Sequence, residues 1–147
     1  MSKHAIFALL LGLVTLSLPA FVEAANPKMP DISDMTLPMP NGLKGDFPKG
    51  ATFFIHNCAA CHGAKGDGNG PRAYFITPPP RNFLLDTSRQ RLNRPVIFEA
   101  VTNGRLGTNM PAWGKVLSNQ EIADVAEFVF QNFIQPSQLG KKGSKGK

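Results

Sequence analysis

The sequence predicts an all-α domain of three or more helices wrapped around a bulky prosthetic group, and three observations predict it. Three segments place apolar residues at helical spacing, no segment shows a strand pattern, and a long glycine- and proline-rich stretch with no period separates the first two helices. So long an irregular stretch is hard to hold inside a small domain unless it has something to wrap around. The 147 residues allow one domain, and no internal repeat is present.

The first helix is expected over residues 48–60, where Ala51, Phe54, Ile55, Cys58 and Cys61 fall on one face. The second is expected over 95–103: Pro95 suits a first helical turn, Ile97, Ala100 and Val101 share a face, and Gly104 supplies the left-handed stop. The third begins at a capping box, Ser118 with Glu121, and carries the stripe Ile122, Val125, Ala126, Val129 and Phe133 until Pro136 ends it. The connecting stretch between the first two helices reads "GAKGDGNGPRAYFITPPPRNFLLDTSRQRLN".

The ends differ from this central domain. Lys3 and His4 precede the apolar run "AIFALLLGLVTLSL" and then "VEA", the layout of a secretory signal with cleavage after Ala24. The run is short for a membrane span, which needs roughly 20 apolar residues. The expected organisation is a signal peptide at 1–24, an extended proline- and methionine-rich arm at 25–47 that lies over the domain or moves freely, a domain at 48–136 and a basic tail at 137–147. The mature chain is expected in an exported, periplasmic compartment, with no stable membrane insertion once the signal is removed. The net charge of +6 owes much to four lysines of the terminal "KKGSKGK", and no nucleic-acid recognition motif appears.

Both cysteines lie in "NCAACHG". In an exported chain a disulfide is the first thought, but bridging residues three apart closes too small a loop to constrain the unfolded chain much. Zinc needs a fourth protein ligand, and the remaining histidine of the mature chain, His56, is on the same helix and points elsewhere. A redox dithiol needs a βαβ context that the sequence lacks. Haem fits: Cys58 and Cys61 stand one helical turn apart, each able to form a thioether with one vinyl group, and His62 follows as the proximal iron ligand. The expected cofactor is one haem c, covalent through two thioethers. "GDGNG" neither opens a helix nor offers more than one carboxylate, so it reads as backbone shape rather than as a phosphate or calcium site.

With "CAACHG", then "GDGNGP", "PPPRNF", "TNMPAWG" and the final amphipathic helix in that order, the stretch from about residue 48 to 133 resembles the class I c-type cytochromes, in particular small bacterial monohaem ones. The resemblance implies the cytochrome c fold and electron transport rather than enzymatic catalysis. It also places a thioether ligand before a proline, at Met110. Elimination agrees, since His56 cannot reach round the iron and Met29, Met35 and Met39 lie in the arm. Related short cytochromes use a proline carbonyl to hold the proximal histidine, which implies Pro71 here. Arg81, with its fork of donors, and Trp113, with its indole N–H, are candidates for the haem propionates. Phe54, Phe75, Phe83 and Leu106 are expected to form the apolar wrapping. Redox proteins with acidic docking surfaces are the expected partners, approached through Arg89, Arg91, Arg94 and the tail lysines, by a monomer or by a subunit of a larger complex. Two alternatives stay open: a haem enzyme or gas-binding protein with a free iron position, and a fixed cytochrome subunit of an oxidase or reductase.

Overall fold

The computed structural model describes residues 31–136. The signal-like run, Met29 and the lysine tail lie outside the described residues. Five α-helices follow in chain order: α1 (Phe47–Asn57), α2 (Ala59–His62), α3 (Asp86–Arg89), α4 (Arg94–Asn103) and α5 (Asn119–Val129). A π-helical turn, Phe130–Ile134, extends α5, and short 3₁₀ turns occur at Pro40–Gly42, Ala73–Phe75 and Trp113–Lys115. No strand occurs among the described residues.

Helix α5 is the hub. The expected capping box is present: Ser118 Oγ accepts from Glu121 N–H, and Glu121 Oε2 accepts from Ser118 N–H at 2.9 Å. Beyond the cap, every residue from Ile122 to Val129 is buried, so the helix is covered on more than the one face that the stripe suggests. Its two buried acids are satisfied. Asp124 Oδ1 accepts from Asp46 N–H and from Gln120 Nε2, both at 2.7 Å, and Glu127 takes a two-pronged ion pair from Arg94 at 2.6 and 2.9 Å.

Helices α1 and α4 pack on α5. Against α1 the approach is close because Gly50 has no side chain: a Cβ there would lie 1.9 Å from the Asp124 carbonyl oxygen. Phe47 and Phe54 then meet Phe128 with ring centroids 5.1 and 5.2 Å apart. Asp46 caps α1 by accepting from Lys49 N–H. Asn93 caps α4 by accepting from Val96 N–H, with Pro95 in the first turn as expected.

Four expectations are corrected. The first helix is not continuous: Cys58 stands between α1 and α2, and its carbonyl accepts both from Cys61 N–H in the tighter 3₁₀ pattern and from His62 N–H. Ile55, one residue round from buried Phe54, is 49% exposed. From residue 31 the arm is fastened to the domain and its Met39 is part of the core at 4% exposure. Phe75 and Leu106 are exposed, Phe75 leaning edge-on against Tyr74 and Leu106 standing in the turn after α4, so of the expected wrapping only Phe54 and Phe83 belong to the packed core.

Candidate haem site

Helix α2 consists of four residues, "AACH", and presents the whole attachment motif in one turn with its leading cysteine at the N-cap. Both thiols are free and half-buried. Burial, with Cys61 alongside, pushes the Cys58 thiol up to about 12.

The following loop is stapled back onto this turn. Gly68 N–H donates to His62 O at 2.8 Å, Gly70 N–H to Cys61 O at 3.1 Å and Arg72 N–H to Ala60 O at 2.8 Å. Carbonyls that the short helix leaves orphaned are thereby satisfied, and "GDGNG" acts as shaped backbone.

His62 is held from two directions. Its Nδ1 lies 3.1 Å from the Arg81 carbonyl oxygen. A carbonyl only accepts, so Nδ1 carries the hydrogen and Nε2 keeps its lone pair for a metal. The imidazole also stacks on Phe83, centroids 4.8 Å apart and planes 16° apart, and Phe83 stacks in turn on core residue Phe133. Desolvation lowers the His62 pKa, against the opposing effect of the Arg81 carbonyl, and so favours the neutral ring that a metal requires.

Here the sequence reading needs correction: the acceptor for His62 is the Arg81 carbonyl, not that of Pro71, which is exposed. The segment 80–83 runs beside the loop, with the site of a Gly68 Cβ only 2.8 Å from Pro80 O and Phe83 N–H donating to Gly66 O, so it is this segment that reaches the ring. The Arg81 guanidinium is exposed.

Met110 is half-buried against the apolar core that Cys58 also borders. Its loop is tied to the end of α4: Arg105 N–H donates to Met110 O at 3.2 Å, Met110 N–H donates to Thr108 Oγ1, and Thr108 Oγ1 donates to Arg105 O. Gly104, at φ +69°, makes the turn possible twice over, since a Cβ there would strain the backbone and lie 2.6 Å from Met110 O. Trp113 is half-buried, its ring edge-on to Phe53 at 5.1 Å. His56 Nδ1 is bonded to Thr52 O on its own helix.

The donor set suits haem better than a bare metal ion. Among the described residues no three His, Cys, Asp or Glu side chains come together as an ion site. What the fold does assemble is two unpaired thiols one turn apart and, next to them, an oriented imidazole with a free lone pair. A family profile described as cytochrome c oxidase, cbb3-type, subunit III matches residues 45–129.

The chain belongs to this family of c-type cytochromes.

The cytochrome is 36% identical over 84 residues to the cbb3-type cytochrome c oxidase subunit CcoP of Azospirillum brasilense, covering 55% of this chain and 26% of that protein. It is 32% identical over 102 residues to the subunit FixP of Azorhizobium caulinodans, covering 67% and 32%. It is 34% identical over 92 residues to cytochrome c6 of Bryopsis maxima, covering 60% and 93%. The cytochrome thus spans about a third or less of the oxidase subunits it matches and nearly all of the cytochrome c6. It is a class I c-type cytochrome with one covalent haem c on the "CAACH" turn, which confirms the expected fold and cofactor.

Two of the arginines expected to steer partners bond within the molecule, Arg94 half-buried and Arg89 still exposed. Arg94 pairs with Glu127 and lies over the Phe130 ring at 3.9 Å, and Arg89 Nε donates to Phe133 O. Arg91 remains exposed. The cap at Asn93 went unread in the sequence, although an Asn two residues before a Pro of a first helical turn is an N-cap signal.

Proposed function

We propose that the cytochrome is a one-electron carrier of an exported compartment, in which His62 and Met110 would hold the haem iron and leave no position for a substrate. Bound haem supplies reversible one-electron chemistry. The chain's own part is to fix the ligands, so that little rearranges between oxidation states. The observation that carries this reading is the clamp on His62, in which one ring nitrogen is held by the Arg81 carbonyl while the ring face is held by Phe83. Such an outer partner fixes tautomer and orientation and tunes the metal.

Support for Met110 is that Met39, the arm methionine nearest the domain, is engaged inside the core. The Arg81 guanidinium and the Trp113 indole are proposed to meet the haem propionates. Visible spectroscopy tests the ligation. A sulfur-to-iron charge-transfer absorption is expected in the ferric protein and is lost in Met110→Ala, which gains carbon monoxide binding when reduced. Carbon monoxide binding to the reduced unmodified protein would instead establish an open iron position.

The relatives leave a second role in play, that of a fixed cytochrome subunit in an oxidase, because the matched family profile is named for one. The cytochrome c6 likeness, which spans almost that whole protein, supports the free carrier. Among the described residues no helix is long and apolar enough to cross a membrane. Purification at high salt separates the roles, since a fixed subunit elutes with its oxidase in constant stoichiometry and a carrier elutes alone.

A further inference from the structure

The family match begins at residue 45, yet the preceding segment, residues 31–44, is built into the fold. Its anchor is Asn93, which has no exposed surface. The Asn93 amide donates to two carbonyls of this strap, Asp31 O at 2.9 Å and Asp34 O at 3.1 Å, while its Oδ1 caps α4. Two side-chain turns shape the strap so that both carbonyls face the same amide: Asp31 Oδ1 accepts from the Ser33 N–H and hydroxyl, and Asp34 Oδ1 from those of Thr36. Further along, Met39 enters the core and Lys44 O accepts from Gln120 on α5.

Helix α4 connects this anchor to the Met110 loop. Its ten residues span about 15 Å. At its far end Gly104, Arg105 and Thr108 hold the Met110 loop, and Gly114 backs onto Thr102, where a Cβ would come within 2.9 Å of the Thr102 carbonyl. One helix thus holds the strap at its first turn and the Met110 loop at its last.

We propose that Asn93 is a positioning residue for the Met110 loop: it locks the strap of residues 31–44 onto α4 and so keeps the thioether ligand in place. The proposal rests on the reading of Met110 as a ligand. Without the two amide donors α4 is freer to shift, and the loop spends more time away from the iron.

Competition with exogenous imidazole tests this in the haem-loaded ferric protein, read by loss of the charge-transfer absorption. Asn93→Asp keeps an acceptor for Val96 N–H but withdraws both donors; Asn93→Ser, another good cap without amide donors, must behave alike. The apparent affinity of imidazole scales with the fraction of protein whose loop is open. Both variants are expected to release the methionine at about tenfold lower imidazole, the factor that 1.4 kcal/mol represents. Ser118→Ala, which removes a cap from α5 and leaves the strap intact, should stay within about twofold of the unmodified protein on the same scale. A midpoint unchanged in the Asn93 variants, or one that Ser118→Ala reproduces, overturns the proposal.

A second readout does not depend on the ligand. Exchange of the Arg105 amide hydrogen, which is bonded to Met110 O, should accelerate about tenfold in Asn93→Asp, with the Gly68 amide on the His62 carbonyl unchanged. If the unmodified protein shows no charge-transfer absorption, Met110 is not the ligand and Arg105 exchange alone decides the strap. Unaccelerated exchange there overturns it.

Discussion

Gly50→Ala should be among the most damaging single-methyl changes in the cytochrome. The added Cβ would stand 1.9 Å from Asp124 O, 2.5 Å from Asp124 C and 2.9 Å from Phe128 Cβ. Carbon and oxygen in weak contact prefer about 3.3 Å or more, so α1 and α5 must part by more than 1 Å. Backbone atoms cannot rotate aside as a side chain end does, and a gap of this size forfeits roughly a quarter to a half of the dispersion energy at the contact. The Phe47 and Phe54 contacts with Phe128 lie within that contact.

Overpacking of this kind costs about 3 kcal/mol or somewhat more, and the better helix propensity of alanine returns at most about 1, leaving a net loss of roughly 2–3 kcal/mol. Guanidinium unfolding of the haem-loaded protein, followed by far-ultraviolet circular dichroism, should show a lower midpoint with an unchanged slope. Gly42→Ala separates strain from crowding, because Gly42 sits at φ +67° with nothing within 4 Å of its Cβ position. It should lose only the left-handed penalty of about 1–2 kcal/mol. A Gly50→Ala loss under about 1 kcal/mol would refute the close helix crossing inferred from these distances.

Arg94→Ala should cost about 3 kcal/mol in the same assay, since it leaves the buried Glu127 carboxylate without its guanidinium, whereas exposed Arg91→Ala should stay within about 0.5. Phe83→Ala should cost about 3–4 kcal/mol and, by removing the face that backs His62, broaden the imidazole ring proton signals of the haem-loaded protein. Ser118→Ala should cost about 1 kcal/mol at neutral pH. Bonds from the Ser118 N–H and then from its hydroxyl hold the Glu121 pKa below the usual carboxylate value; Ser118→Ala removes only the hydroxyl bond, and that part of the cap's contribution is fully present above the unfolded carboxylate pKa and is lost as pH falls through the folded one. The gap between Ser118→Ala and the unmodified protein should therefore narrow in acid, as denaturation curves at pH 7 and pH 3 would show.

The attachment turn and the cap of α5 were legible because each is encoded within four or five consecutive residues. Ser118 and Glu121 find each other by helix geometry alone, and Cys58, Cys61 and His62 need only one turn. The break at Cys58 was not legible, since no glycine or proline marks it. Nor were the contacts that span the chain: the acceptor for His62 lies 19 residues away, the partner of Arg94 lies 33 away, and the strap carbonyls lie 59 and 62 residues from Asn93. Hydrophobicity misled at Phe75 and Leu106, because an apolar side chain is permitted on a surface while a buried charge demands a partner. Nothing local in the sequence marks Asp124 and Glu127 as buried; only the packed fold shows that each is enclosed and satisfied.

Partner steering changes once Arg94 is known to spend its charge on Glu127. On the stapled loop beside the attachment turn, Lys65 and Arg72 are exposed, and no ion pair involves either among the described residues. These are the cations expected to meet an acidic redox partner. Two unit charges about 10 Å apart in water interact by about 0.4 kcal/mol, a factor of about two in rate, and a reversal of sign doubles the energy. Arg72→Glu should therefore slow electron transfer with an acidic partner about fourfold at low salt. The difference should disappear near 1 M salt, where the screening length falls to about 3 Å. Arg91→Glu, placed outside that loop, should change the rate less. Stopped-flow mixing across a salt series provides the comparison. Equal slopes for Arg72→Glu, Arg91→Glu and the unmodified protein would place the encounter surface away from the attachment loop and return the steering role to the lysines of the tail.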